Sequence, residues 1–243
     1  MLPPAPGTVA LEEERFVLRH EPTPATPGGS AQRLQLADLE RDISEVRAWF
    51  SEHGRERFLW VVGPSARPDG RAATLVAAGA RPWPDDPVWA GMVLVGEPPR
   101  VDGVEVRRVD SPALAHAAID VNVAAGVVPE EAASAMHDAV GRSPKSATAP
   151  VSTFVAFVEG TPVGTGTSWY GTDGVYLAGG ATRPEFRGRG VYRALIHARW
   201  EDATRRGKEG LVAQAGHMSR GILARLGFEA VCEVRAYEDA AAP

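Results

Sequence analysis

The chain has 243 residues, 44% hydrophobic and 23% charged, with one cysteine and a formal net charge of −5. It is longer than the roughly 100–150 residues of one typical domain, and this composition excludes wholesale disorder, collagen-like repeats and low-complexity scaffolds. No apolar run approaches ~18 residues, Cys232 alone cannot form an internal disulfide or a cysteine zinc cluster, and the acidic balance excludes a general nucleic-acid binder.

Residues 1–35 are rich in Pro, Thr, Gly and Ala, and the run from Pro22 to Gly29 offers few amide donors, so an irregular tail is expected. Its start, Met1-Leu2-Pro3-Pro4-Ala5-Pro6, lacks the basic and apolar stretches of a secretory leader, and a cytoplasmic protein without a membrane partner is the expectation. Leu39, Ile43, Val46 and Phe50 then recur at helical spacing, with Gly54 placed to stop the helix. A strand over 58–62, a short helix over 71–78 and a strand over 88–95 follow, giving an N-terminal α/β subdomain over 36–97. Pro98-Pro99 marks a linker.

Beyond it the pattern predicts a strand over 104–109, helices over 112–125 and 129–140, and a loop over 141–150. Strands over 153–158, 163–170 and 175–181 are separated by Glu159-Gly160 and Asp173-Gly174, pairs that favour antiparallel hairpins. A long helix (190–206), a strand (211–214), a short helix (219–226) and a last strand (228–237) complete the chain. The order is that of an α+β fold with a mixed, mostly antiparallel sheet. The stretch 59–94 (strand, turn, short helix, strand) echoes 211–237, and each has a helix in front, so the N-terminal region reads as a degenerate half-copy without a glycine-rich loop.

Charge is unevenly placed. Residues 183–225 hold ten Lys/Arg and four Asp/Glu, a net of +6 that leaves −11 for the rest. At the head of this segment stands Arg183-Pro184-Glu185-Phe186-Arg187-Gly188-Arg189-Gly190-Val191-Tyr192-Arg193, between a predicted strand and a predicted helix. Glycines at 188 and 190 allow close backbone approach, and amides entering a helix N-terminus suit an anion such as a pyrophosphate. A dinucleotide fingerprint would need glycine where Arg193 stands, and Gly207-Lys208 is followed by Glu209 rather than Ser or Thr.

Thr182-Arg183-Pro184-Glu185-Phe186-Arg187, followed by Arg187-Gly188-Arg189-Gly190, together with the later Leu226-Gly227-Phe228, resembles the motifs of the GNAT superfamily of acetyl-CoA-dependent N-acetyltransferases. The resemblance covers 104–237, within an expected acetyltransferase domain over 104–238. Trp60-Val61-Val62-Gly63-Pro64-Ser65 is similar to a strand and turn of members with an N-terminal extension. It implies an acetyl-CoA donor and a primary amine acceptor on an unidentified small molecule or protein. A homodimer and an acyl-CoA-binding module without efficient turnover remain open alternatives.

Position by position, the resemblance implies that amides of Gly188, Arg189, Gly190, Val191, Tyr192 and Arg193, with the charge of Arg187, hold the pyrophosphate. Ala181 and Thr182 would bond the pantetheine arm through their backbones, where the strand splays from its parallel neighbour. Tyr192 stands where the family usually has Gly or Ala, and Leu223 where many members carry a proton-donating Tyr. A thiol with a pKa near ~8.5 can leave without an acid, so losing one, worth ~10²–10⁴-fold, slows the reaction rather than forbidding it. His217 and Ser219, at the start of the last short helix, are the expected proton-handling side chains, and Tyr176 and Trp169 the expected lining of an acceptor pocket. His197 is placed on an exposed helix face without a role, and no metal ligands are expected.

Overall fold

The computed structural model describes residues 9–20, 28–67, 69–140 and 150–242. In chain order it forms β1 (Val9–Glu12), β2 (Val17–His20), β3 (Gly29–Gln32), α1 (Leu39–Glu52), β4 (Arg57–Val62), α2 (Arg71–Ala77), β5 (Arg81–Pro82) and β6 (Val88–Leu94). There follow β7 (Glu105–Arg108), α3 (Pro112–Ala124), α4 (Glu130–Ala139), β8 (Val151–Val158), β9 (Thr161–Tyr170), β10 (Val175–Thr182) and a 3₁₀ turn (Pro184–Phe186). The chain continues with α5 (Val191–Arg205), β11 (Leu211–Ala215), α6 (His217–Arg225) and β12 (Glu229–Ala240). The α+β class and the mostly antiparallel pairing follow the sequence pattern, and helix–strand order repeats between α1-β4-α2-β6 and α5-β11-α6-β12. The expected loop over 141–150 lies, except for Pro150, outside the described residues.

The described residues divide into two compact units, those of 93–213 with 222–229, and those of 9–92 with 214–221 and 230–242. The units do not coincide with the expected 104–238 domain, because β12 pairs antiparallel with β4 from Arg235↔Val62 to Ala240↔Arg57 in the second unit.

In the second unit the sheet runs β1-β2-β3-β4-β12, antiparallel except between β3 and β4. The described residues 9–20 and 28–35 are therefore not an irregular tail. Phe16, Val17, Leu18 and Ala31 are buried, and β3 finds its partner in β4, about thirty positions downstream, where no local pattern could reveal it. The proline-rich run that suggested a tail lies mostly at 21–27, outside the described residues. Ile43, Val46 and Phe50 of α1 pack with Phe58 and Trp60 of β4 against these strands. At the N-terminus of α1, Asp38 accepts from the Arg41 amide, and at its end the Arg55 amide donates to Phe50 O (2.9 Å) past Gly54. Asp42, buried behind that cap, is held by Arg15 at 2.6 Å, and these bonds keep its carboxyl below the usual range although burial pushes the other way.

In the first unit the sheet runs β7-β8-β9-β10-β11, antiparallel except between β10 and β11. The β8–β9 hairpin turns on Glu159 and Gly160, both at positive φ, as that dipeptide implied. Phe154 and Val163 pack against Val191 and Leu195 of α5, whereas Ala118 of α3 packs with Val155 and Phe157. Alternate residues of the strands thus serve opposite faces.

Candidate functional site

The geometry of β10 sets the site. Its parallel pairing with β11 runs from Val175↔Leu211 to Leu177↔Ala213, while the strand itself continues to Thr182. Against β9, Ala178 faces Thr167 and Ala181 faces Thr165, so β10 carries one extra residue, a bulge. Gly179 takes φ +57°, and Gly179 and Gly180 are exposed. The bulge therefore presents backbone to solvent on residues past the last parallel pair. Ala181 is buried and Thr182 half-buried, and both remain in register with β9.

From Thr182 the chain passes through the 3₁₀ turn into α5. Gly190 precedes the helix at φ +81°, and Gly188 takes φ +79°. The first intrahelical bond is Ala194 N to Gly190 O (2.9 Å), so the amides of Val191, Tyr192 and Arg193 have no helical acceptor. Arg187, Arg189 and Arg193 are exposed, and none forms an ion pair among the described residues. Arg189 lies 5.1 Å over the Phe186 ring. Free amides, the positive end of a fifteen-residue helix and three cations converge on one turn, and this arrangement suits a phosphate-bearing ligand. Glu185 is the one carboxylate within the loop.

Tyr192 turns back under the strand. A Cβ on Gly180 would lie 2.8 Å from its ring, so the side chain that stands where the family usually has Gly or Ala fills the space beneath the bulge. Two turns along, Arg199 is 1% exposed, and burial lowers its guanidinium pKa to about 10. Its Nε donates to Leu195 O (3.0 Å) and Nη1 to Thr167 O (3.3 Å). Gly166 makes room for it, because a Cβ there would sit 2.9 Å from Arg199 Cζ. Further along α5, Asp202 accepts from the Tyr170 hydroxyl and pairs with Arg206 at 3.0 Å; burial first, and the bond to Asp202 second, raise the Tyr170 pKa, against the opposing charge of Arg206. Sequence reading could not assign partners to Arg199; its only signal was a basic residue on the i, i+4 and i, i+7 row of Tyr192 and Leu195.

His217 and Ser219 fall in the second unit, as residues of the first turn of α6. The Asp86 carboxylate accepts from the His217 amide (3.1 Å) and lies 3.4 Å from its Nδ1. Asp86 thereby caps α6, and the Ser219 amide donates to Gly216 O (3.2 Å) just before the helix. Leu223 is 1% exposed, in the core. Tyr176 and Trp169 are cross-strand partners, both half-buried. His197 is not on an exposed face. It is 7% exposed, 3.3 Å from Glu97 and 3.9 Å from Glu201, because the linker packs over α5 and Arg100 pairs with Glu201 at 3.1 Å. Among the described residues no cluster of three His, Cys, Asp or Glu could hold a metal, and no helix is long and apolar enough to cross a membrane.

Residues 126–228 match the family model described as acetyltransferase (GNAT) family. Among curated proteins no sequence matches the chain. Among solved structures it is similar to a GCN5-related N-acetyltransferase from Kribbella flavida, at 18% identity over 96% of this chain and 89% of that one, with a TM-score of 0.70. A GCN5-related N-acetyltransferase from Sphaerobacter thermophilus is 17% identical over 96% and 83% of the two chains, with a TM-score of 0.62. A tandem GNAT protein from the clavulanic acid biosynthesis pathway is likewise 17% identical, over 94% of this chain and 79% of that one, also at 0.62. At these identities the likeness is one of fold, and it extends through the N-terminal half.

Proposed function

We propose that the chain, whose residues 126–228 match the acetyltransferase (GNAT) family model, is an N-acetyltransferase moving an acetyl group from acetyl-CoA to a primary amine of a small molecule or protein. The observation that carries the reading is the bulged edge of β10 beyond its last pair with β11, running directly into a loop of free amides and exposed arginines. The residues fit the donor. An extended amide-bearing arm finds backbone groups along 179–182, and a pyrophosphate finds the amides of 191–193 with Arg187, Arg189 and Arg193 beside them. Acetyl-CoA would supply the activated acetyl thioester.

An amine with a pKa near ~10.4 must lose a proton before it can attack. His217, whose side chain is 69% exposed and backed by Asp86, handles that proton, with Ser219 beside it. The domain proposed to carry the reaction spans 104–238. The test is release of free CoA thiol across a panel of amines, accompanied by titration of acetyl-CoA. Release that disappears in Gly190→Asp supports the enzyme; no binding at millimolar acetyl-CoA overturns it. A second reading, an acyl-CoA-binding module without efficient turnover, is favoured by the apolar, buried Leu223. Tight binding with no thiol release from any amine would select it.

A further inference from the structure

Arg199 is costly where it stands. Its side chain is wholly buried, it has no carboxylate within ion-pair distance among the described residues, and its Nη2 makes no hydrogen bond. A buried, incompletely bonded guanidinium disfavours the folded state unless it supports something. What it adjoins is Tyr192, whose phenol interacts with the guanidinium and whose ring occupies the place a Gly180 side chain would take. Gly166 on β9 and Gly180 on β10 are both emptied of side chains at these contacts, so the pair is fitted into the sheet from the helix side. Tyr192 is also the second residue of α5, whose amide belongs to the anion-suited turn. One side chain therefore ties the bulged strand edge to the loop.

We propose that Tyr192, braced by Arg199, is a positioning residue that holds the β10 bulge at Gly179-Gly180 in register with the first turn of α5, and so presets the edge that takes the pantetheine arm. This role rests on the acetyl-CoA reading for its ligand, but not for its geometry. A prop of this kind acts by preorganisation: the edge is ordered before the ligand arrives, and less ordering entropy is lost on binding.

The experiment compares the full chain with Tyr192→Ala, Tyr192→Phe and Arg199→Met by hydrogen–deuterium exchange of the ligand-free proteins, and by titration with S-acetylpantetheine and with adenosine 3′,5′-diphosphate. Amides of residues 179–182 are expected to exchange roughly tenfold faster in Tyr192→Ala while the rest of β8 and β9 keeps its protection. S-acetylpantetheine should weaken about tenfold in that variant while the nucleotide changes less than about twofold. Tyr192→Phe retains the ring and should stay within about threefold of the parent on both readouts, with Arg199→Met lying between. If Tyr192→Ala does not fold, Tyr192→Leu carries the same comparison. Unchanged exchange at 179–182, or equal loss of both ligands with exchange raised throughout the unit, overturns the proposal. If the parent binds neither ligand, the acetyl-CoA reading fails, and the exchange data of the ligand-free chains still decide the role of Tyr192.

Discussion

His20 accepts a hydrogen bond at Nδ1 from Arg55 Nε at 2.7 Å, so the fold requires that nitrogen to be unprotonated. Burial first, and the Arg55 charge second, lower its pKa below the usual value. The unfolded chain then takes up a proton as pH falls through about 6.5, before the folded chain does, so the stability present above that pH declines below it. Denaturant melts at pH 7.5 and 5.5 should show the loss, and His20→Gln should flatten it. Two glycines of the anion loop allow a comparison of the same kind. A Cβ at Gly188 would meet nothing within 4 Å, whereas one at Gly190 would come within 2.8 Å of Val101 Cγ1, and both have positive φ. Gly188→Ala should cost about 1 kcal/mol of strain alone, and Gly190→Ala more than that, with the larger loss of acetyl-CoA affinity. Thermal melts and titration of both variants provide the check. Gly190 was legible from its motif, but Val101, its close neighbour, was not.

At the scale of elements, helices were read most securely where their signals are local. The Leu39-Ile43-Val46-Phe50 row and Gly54 marked α1, since a buried stripe and a stop both act over a few positions, whereas its cap, Asp38, came from the structure. Asp38→Ala should lower stability by about 1 kcal/mol in a urea melt. Helix α6 starts at His217, two residues before the 219 that its sequence implies, because its cap, Asp86, is 131 positions away. Helices α3 and α4 are joined by His116 and His137, whose rings stack at 4.8 Å with Nδ1 atoms 2.6 Å apart, and His137 Nε2 lies 3.1 Å from Asp120. A double-mutant cycle with His116→Ala and His137→Ala should return a coupling of roughly 0.5–1.5 kcal/mol. Additive losses would mean that the two rings are merely adjacent.

For the whole molecule, the pairing of β12 matters most. Asp239, 6% exposed on that strand, accepts from Trp60 Nε1 at 2.8 Å and from Arg47 at 3.0 and 3.1 Å, and both donors come from the N-terminal half. A fragment comprising 104–238 would lack β4, leaving an unpaired edge where Arg235↔Val62 and its neighbours now lie. Expressed alone, it should aggregate or unfold, and co-expression with 1–103 should recover soluble material; a monomeric, cooperatively melting fragment would contradict this. In the full chain Arg47→Ala should cost about 2–4 kcal/mol by leaving a buried carboxylate short of its cation, as measured by chemical denaturation.

Composition, hairpin dipeptides, helical rows and the Arg187 to Gly190 loop, by themselves, determined the α+β class, most elements and the anion-suited turn. Each of these depends on backbone conformation or burial within a few residues, and that information is carried locally. Tertiary structure alone decided that residues 9–20 and 29–32 complete a sheet, that the linker buries His197, that Asp86 caps α6, and that Tyr192 and Arg199 stand beneath the β10 bulge. Those outcomes depend on which distant backbone offers the unpaired hydrogen bond or the missing side chain. Gly180 and Gly166, both lacking a Cβ, mark the places where the helix meets the sheet, and that meeting could not be read from either segment taken alone.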